Sequence, residues 1–387
     1  MREITREPSN PNRERRLTFF PLRIQMKVNQ TVDQFHPFWN NKPVSVPLLG
    51  FDLGGWFPFQ RFSILKDVEE NQYIEPQQLN PEACLEDYRA YLFRLQELAD
   101  DLVKGVAPIP AIPWIEGMLG CRIKRKGESF WAEERKASYE ELKSFDTFTS
   151  SPWFHTYIHF VRTLKRTFGA TFPVGIPILR GVSDLLGVLR GHQEAILDGM
   201  EKPEIVKQTA LKLARVIVQL TRAHHRESGL FQGGTLIEQY GLWAPGPMVR
   251  MQEDASALYS PELFRGCILP ADRKIAQEFP YSLLHLHTSS LFLVEEFLSI
   301  REIGVFQINR DVGEMDLPEM SPYLKRIQEK GRRLLLRGPF SVEDYLWIQE
   351  HLSPIGLMVQ TVVPSLEEGR GLLEEARVIF QSRHRPH

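Results

Sequence analysis

Short apolar segments alternate with longer amphipathic ones along nearly the whole chain, and this alternation narrows the possible folds more than any other feature. Extended runs lie near Val44, Ile109, Val174, Phe231, Leu283, Phe306, Leu335 and Val359, with helical periodicity between them. The segment 203–227, for example, carries Ile205, Val206, Leu211, Leu213, Val216, Ile217 and Leu220 as a broad apolar face. Parallel strands buried on both faces read as continuous apolar runs, and each needs a crossover helix to reach the next. About eight such units predict an α/β protein, a (β/α)8 TIM barrel with an N-terminal extension. A doubly wound open sheet is the other fold with this alternation, but no Gly-x-Gly-x-x-Gly follows the first strand. We place the barrel at 42–383 and an N-terminal arm at 1–41. The arm is charged at Arg13-Glu14-Arg15-Arg16 and turns apolar at Leu17-Thr18-Phe19-Phe20.

Helix starts are written into the chain. Ser151-Pro152 and Ser260-Pro261 pair an N-cap hydroxyl with proline in the first turn, and Ser341 to Asp344 has the spacing of a capping box. The prolines of Ala107-Pro108-Ile109-Pro110-Ala111-Ile112-Pro113 exclude a helix there. The stretch from Glu238 to Ala257 reads as an irregular connection, of a length that is more often functional than idle.

Composition excludes several classes of function. A formal net charge of −2 favours neither nucleic acid nor an anionic membrane surface. Cys84, Cys121 and Cys267 are widely spaced and form no Cys-x-x-Cys pair, which argues against a disulfide framework and fits a reducing compartment. No apolar run is as long as a membrane span, and Met1 to Arg16 is polar where a secretory signal is apolar. The expected location is the cytoplasm.

In a barrel the site lies at the C-terminal ends of the strands. The residues expected there are Asp52, Trp114, Asp254, His285, His287, Asn309, Arg310, Asp311, Arg337 and Gln360. His285 and His287 stand two apart near a strand end, so both project to one face. Such a pair either holds a metal with further ligands, grips an anion, or is two ordinary histidines bonded to backbone carbonyls. His155 and His159 have the i, i+4 spacing of two ligands, but Thr156 stands where the zinc-protease motif has glutamate; an aromatic packing face is expected instead. His224 and His225 read as structural.

Three stretches resemble the uroporphyrinogen decarboxylase superfamily, which includes cobalamin-dependent methyltransferases. They are Gly187 to Asp198 followed by Lys202-Pro203-Glu204, Tyr259 to Phe264 with Ile268-Leu269-Pro270, and Leu284-His285-Leu286-His287. The resemblance spans about residues 42–383 and implies a (β/α)8 barrel. Its decarboxylase branch has two arginines after the first strand and a histidine near the last. Here Gly50 to Trp56 holds no arginine, and Met358 to Val363 holds no histidine. The methyltransferase branch holds zinc with a His-x-Cys pair and a later Cys; here His287 takes the first Cys position and no cysteine follows Cys267.

The resemblance therefore implies a zinc-assisted methyltransferase, with a methylcorrinoid donor carried by a partner protein and a small acceptor. Its ligands would be His285, His287 and a carboxylate, Asp254 or Asp311. A second reading is a cofactor-free decarboxylase acting on a tetrapyrrole or another carboxylate. In that reading Asp52 or Asp254 stabilises a protonated intermediate, and Arg310 or Arg337 holds the carboxylate. A third is a non-catalytic barrel binding a tetrapyrrole or corrinoid through Trp56, Trp114, Trp243 and the histidines. Asn309 and Gln360 are expected to face the ligand. Dimerisation is implied by the family, and the N-terminal arm is a candidate for it.

Overall fold

The computed structural model describes residues 32–54 and 61–382. Trp56 and the charged part of the N-terminal arm lie outside the described residues. Six strands form one parallel sheet: β1 (Leu48–Asp52), β2 (Met248–Gln252), β3 (Tyr281–Leu286), β4 (Val305–Asn309), β5 (Arg333–Gly338) and β6 (Leu357–Val362). Their order is β1-β6-β5-β4-β3-β2, so the first strand pairs with the last. Every one is buried over most of its length, as strands covered by helices must be. Helices cross between consecutive strands, including Pro261–Cys267, Leu269–Gln277, Leu317–Glu329 and Val342–His351.

Beyond β1 and β2 the parallel pairing continues, among the described residues, only as isolated contacts. Val106 bridges Val174, and Ile176 bridges Ile237. The amide of Asp101 donates to Leu49 O at 2.8 Å, beside β1. The run around Ile109 makes no strand, because Pro108, Pro110 and Pro113 remove the amide donors a ladder needs. Phe231 makes only an antiparallel bridge to Gly234, ahead of a short antiparallel pair, Thr235–Ile237 with Leu242–Ala244. The parallel strand of this region is β2, inside the stretch read from sequence as irregular. Its polar residues Arg250 and Gln252 are buried, so the usual polar-outward pattern is absent.

The bottom of the sheet, where the strands start, is covered by a helix at 32–39. Val32, Phe35, Phe38 and Trp39 are buried. Trp39 meets Tyr281, the first residue of β3, edge to face at 4.9 Å, and its Nε1 donates to Trp243 O at 2.7 Å. Asn41 Nδ2 donates to Gly331 O at 3.0 Å, and Arg333 donates to Trp39 O. Among the described residues no helix is long and apolar enough to cross a membrane.

Trp39→Ala removes this contact and leaves a cavity at the base of the sheet. We expect a loss of about 3–5 kcal/mol of unfolding free energy, measured by urea denaturation.

Candidate metal centre

Register places the polar residues of the sheet. Gln252 on β2 lies opposite His285 on β3, which lies opposite Gln307 on β4. Side chains two apart on a strand share a face, so His287 and Asn309 stand one step further on that same side.

A continuous run of hydrogen bonds joins the two histidines. His285 Nδ1 donates to Gln307 Oε1, and the Tyr240 hydroxyl lies 3.1 Å from the same nitrogen. Gln307 Nε2 donates to Asn309 Oδ1 at 3.5 Å, and Asn309 Nδ2 donates to Asp311 Oδ1 at 2.8 Å. Asp311 Oδ2 then accepts from His287 Nδ1 at 2.6 Å. Amide and carboxylate oxygens only accept, so each neutral ring carries its proton on Nδ1 and presents a lone pair at Nε2.

Both lone pairs face Asp254. Its Oδ1 lies 3.6 Å from His285 Nε2 and 3.8 Å from His287 Nε2. Ligand atoms of Asp254, His285 and His287 all lie within 4.8 Å of one another. Gln252 Nε2 donates to Asp254 Oδ2 at 2.6 Å, while Oδ1 is buried with no hydrogen-bond partner. A carboxylate oxygen without a donor, facing two imidazole lone pairs, is unfavourable by itself. A divalent cation relieves it, and two histidines with one carboxylate are a common donor set for catalytic zinc. The residues present therefore fit a metal.

The environment divides the two histidines. Burial pulls the His285 pKa down to about 4, so this ring is neutral near pH 7. Burial also pulls on His287, but the hydrogen bond to Asp311 and the charges of Asp254, Asp311 and Glu314 outweigh it, and the net shift is upward. Asp311 is held below its ordinary value: burial pushes it up, and His287 more than reverses that.

Asp254 is anchored from behind. Glu253 accepts from the amides of Val182 and Ser183 at 2.7 and 2.9 Å, at the start of the helix Val182–Arg190. Asp184, on that helix, accepts in return from Ala255 N at 2.9 Å. The approach requires glycine at 181, where a Cβ would stand 1.4 Å from Gln252 O.

Asp254, His285 and His287 form one wall of a cavity of about 210 Å³. Ile112, Pro113, Phe130, Trp131 and Ile178 give it an apolar side. Two of its arginines are neutralised: Arg337 pairs with Asp52 at 2.7 Å, and Arg180 with Glu116 at 3.0 Å. Arg250 is 2% exposed, and its partners Leu179 O, Gln252 Oε1, Gln239 Oε1 and Tyr240 OH are all neutral. It makes no ion pair among the described residues, and its Nε has no partner.

Of the residues singled out from sequence, Asp254, His285, His287, Asn309 and Arg337 line this cavity, and Asp311 stands directly behind His287. Asp52 and Gln360 line a neighbouring cavity of about 20 Å³. Arg310 is paired with Asp344 at 2.6 Å and is not among the lining residues. Trp114 packs against Trp153, Tyr157 and Phe160, and Trp243 is buried near Trp39; both belong to the core. His224 bonds the Tyr157 hydroxyl at 2.9 Å, and burial lowers its pKa to about 3. Arg250, Gln252, Gln307 and Glu116 were not recognised as site residues. The available signal was polar residues two apart within an apolar run, at 250 and 252 and at 307 and 309.

No protein-family model matches the chain, and no curated protein matches it. Among solved structures it is similar to a methyltransferase from Methanosarcina mazei, with a TM-score of 0.62 over 89% of this chain and 97% of that one. The identity is 12%, so the likeness is one of fold.

Asp311→Asn weakens the hold on His287 Nδ1. We expect zinc affinity to fall by about 10–100-fold, measured by chelator competition. In the wild type a metal displaces the proton favoured on His287, so affinity falls as pH drops through that raised pKa, while His285 does not compete until near pH 4. Without the Asp311 charge the decline moves to lower pH.

Proposed function

We propose that this chain is a zinc-dependent methyltransferase that moves a methyl group from a methylcorrinoid to a small anionic acceptor. The observation that carries this reading is the convergence of Asp254 Oδ1 and two imidazole Nε2 atoms, with both Nδ1 protons already taken up by Gln307 and Asp311. Zinc bound there supplies a Lewis acid that lowers the pKa of a protic acceptor and favours its anion. The likeness in fold to a methyltransferase agrees with this, as does the resemblance of residues 42–383 to the decarboxylase–methyltransferase superfamily.

In this reading the parallel sheet and its isolated flanking bridges make up a (β/α)8 barrel, with residues 42–383 as the catalytic body and 1–41 as an extension. The metal residues stand at the C-terminal strand ends, where barrels place their chemistry. Arg250 binds the anionic end of the acceptor, because a buried guanidinium with only neutral partners is completed by an anion. Phe130, Trp131 and Ile178 exclude water around the reacting atom. A methylcorrinoid, when bound, would supply the methyl group and keep the electron pair of the bond that breaks, while the acceptor's lone pair would form the new bond to the methyl carbon. Leu258, Phe292 and Val312, on the segments after β2, β3 and β4, are exposed large apolar residues and support docking of a corrinoid-carrying protein over this face.

Untagged protein is expected to carry about one zinc per chain, and His285→Ala/His287→Ala to carry none. Zinc-loaded wild type should methylate 3-mercaptopropionate from methylcobalamin. Absence of zinc, with no uptake on titration, would sink this reading. Arg250→Met should leave the zinc content unchanged and raise KM for 3-mercaptopropionate about 10-fold or more, with little effect on its methyl ester.

A further inference from the structure

Resting on that reading, we propose that Glu116 is the general base that takes the proton from the acceptor. A protic acceptor R–XH must lose its proton before X can offer a lone pair to the methyl group. The ionisable groups lining the cavity are Glu116, Asp254, His285, His287 and the arginines 180, 250 and 337. Asp254 and the two histidines are committed to the metal, and arginines already carry their proton. Glu116 is the remaining base among the described lining residues.

Its surroundings suit the task. Glu116 sits on a single buried helical turn, Trp114–Met118, and is 1% exposed. Its Oε1 has no hydrogen-bond partner, although Arg180 Nε stands 3.0 Å away. The charged and titratable groups facing it are Arg180 and the thiol of Cys121. Burial pushes its pKa up, Arg180 and its own backbone amide draw it back, and the net shift is upward. Arg180 thus favours the carboxylate until the acceptor enters, while burial strengthens its hold on a proton once taken.

The step balances within the cavity. The X–H bond breaks, its electron pair stays on X, and the proton passes to a Glu116 oxygen, giving a neutral carboxylic acid. One negative charge moves from Glu116 to the acceptor, so the net charge of the cavity does not change. Arg180, which lines the same cavity, feels the charges of Glu116, Asp184 and Asp254. Once the product leaves, water admitted to the cavity takes the proton from Glu116.

A proton count tests this. Zinc-loaded full-length wild type and Glu116→Gln are titrated with 3-mercaptopropionate by calorimetry near pH 7, in buffers of different ionisation enthalpy. A thiol, with an ordinary pKa of about 8.5, is protonated in that solution. Wild type should retain part of the displaced proton and release measurably less to buffer than Glu116→Gln, which should release about one. The variant should also lose about 100-fold in methyl transfer, and Glu116→Asp should regain proton retention. Thermal stability and zinc stoichiometry, unchanged in the isosteric variant, separate this role from a structural one. Equal proton release by wild type and Glu116→Gln would overturn the role of Glu116 alone. Failure of the wild type to take up zinc, or of the zinc-loaded protein to bind the thiol, would overturn the proposed function and this inference with it.

Discussion

The candidate site depends on the register between β3 and β4. Because His285 lies opposite Gln307, the hydrogen-bonded run from His285 through Gln307, Asn309 and Asp311 to His287 can close. A slip of one residue would turn Gln307 and Asn309 to the other face of the sheet and break the run that joins the two Nδ1 atoms. The two imidazoles would then be free to rotate or change tautomer, and their Nε2 lone pairs would no longer converge. The sheet thus supplies more than a place for ligands; it sets which nitrogen of each ring is available.

A second constraint is charge. Most ionisable groups around the cavity have a partner within ion-pair distance: Arg337 has Asp52, Arg180 has Glu116, and His287 has Asp311. Buried charges are tolerated in such pairs, because desolvation is offset by the partner. Asp254 Oδ1 and Arg250 stay incomplete, the first with no hydrogen-bond donor and the second with no anion beside it among the described residues. They line the same cavity, so a cation on one wall and an anionic group near the other would together complete it. The apolar wall of Phe130, Trp131 and Ile178 lowers the local polarity, which strengthens whatever charge pairing forms there.

Much of this was legible in the sequence, for definable reasons. His285 and His287 reveal a shared face through simple strand periodicity, and Asp254 was among the carboxylates offered as a third ligand. The alternation of strands and helices identified a parallel α/β arrangement, of which six strands form one sheet. β2 was hidden because a strand with polar residues turned inward mimics a loop in hydropathy. The tryptophans misled in the opposite direction. Trp114 and Trp243 are large aromatics next to predicted strand ends, but each satisfies its indole N–H on a backbone carbonyl inside the core, at Ile109 and Phe231. Glu116 gave no pattern, since a lone carboxylate on a short turn acquires meaning only when the fold brings Arg180 beside it.

The helix that seals the base of the sheet also bears on how the chain reaches its native state. Asn41 bonds to Gly331, and Trp39 is gripped by Arg333, across separations of 290 and 294 residues. β1 likewise finds its neighbour in β6, near the other end of the chain. Contacts this distant in sequence carry a high entropic price of loop closure and form late in folding. During synthesis the early segments emerge long before their partners exist, with Phe35, Phe38 and Trp39 still uncovered. Such exposed aromatics are a binding surface for chaperones and a route to aggregation until the last strands arrive.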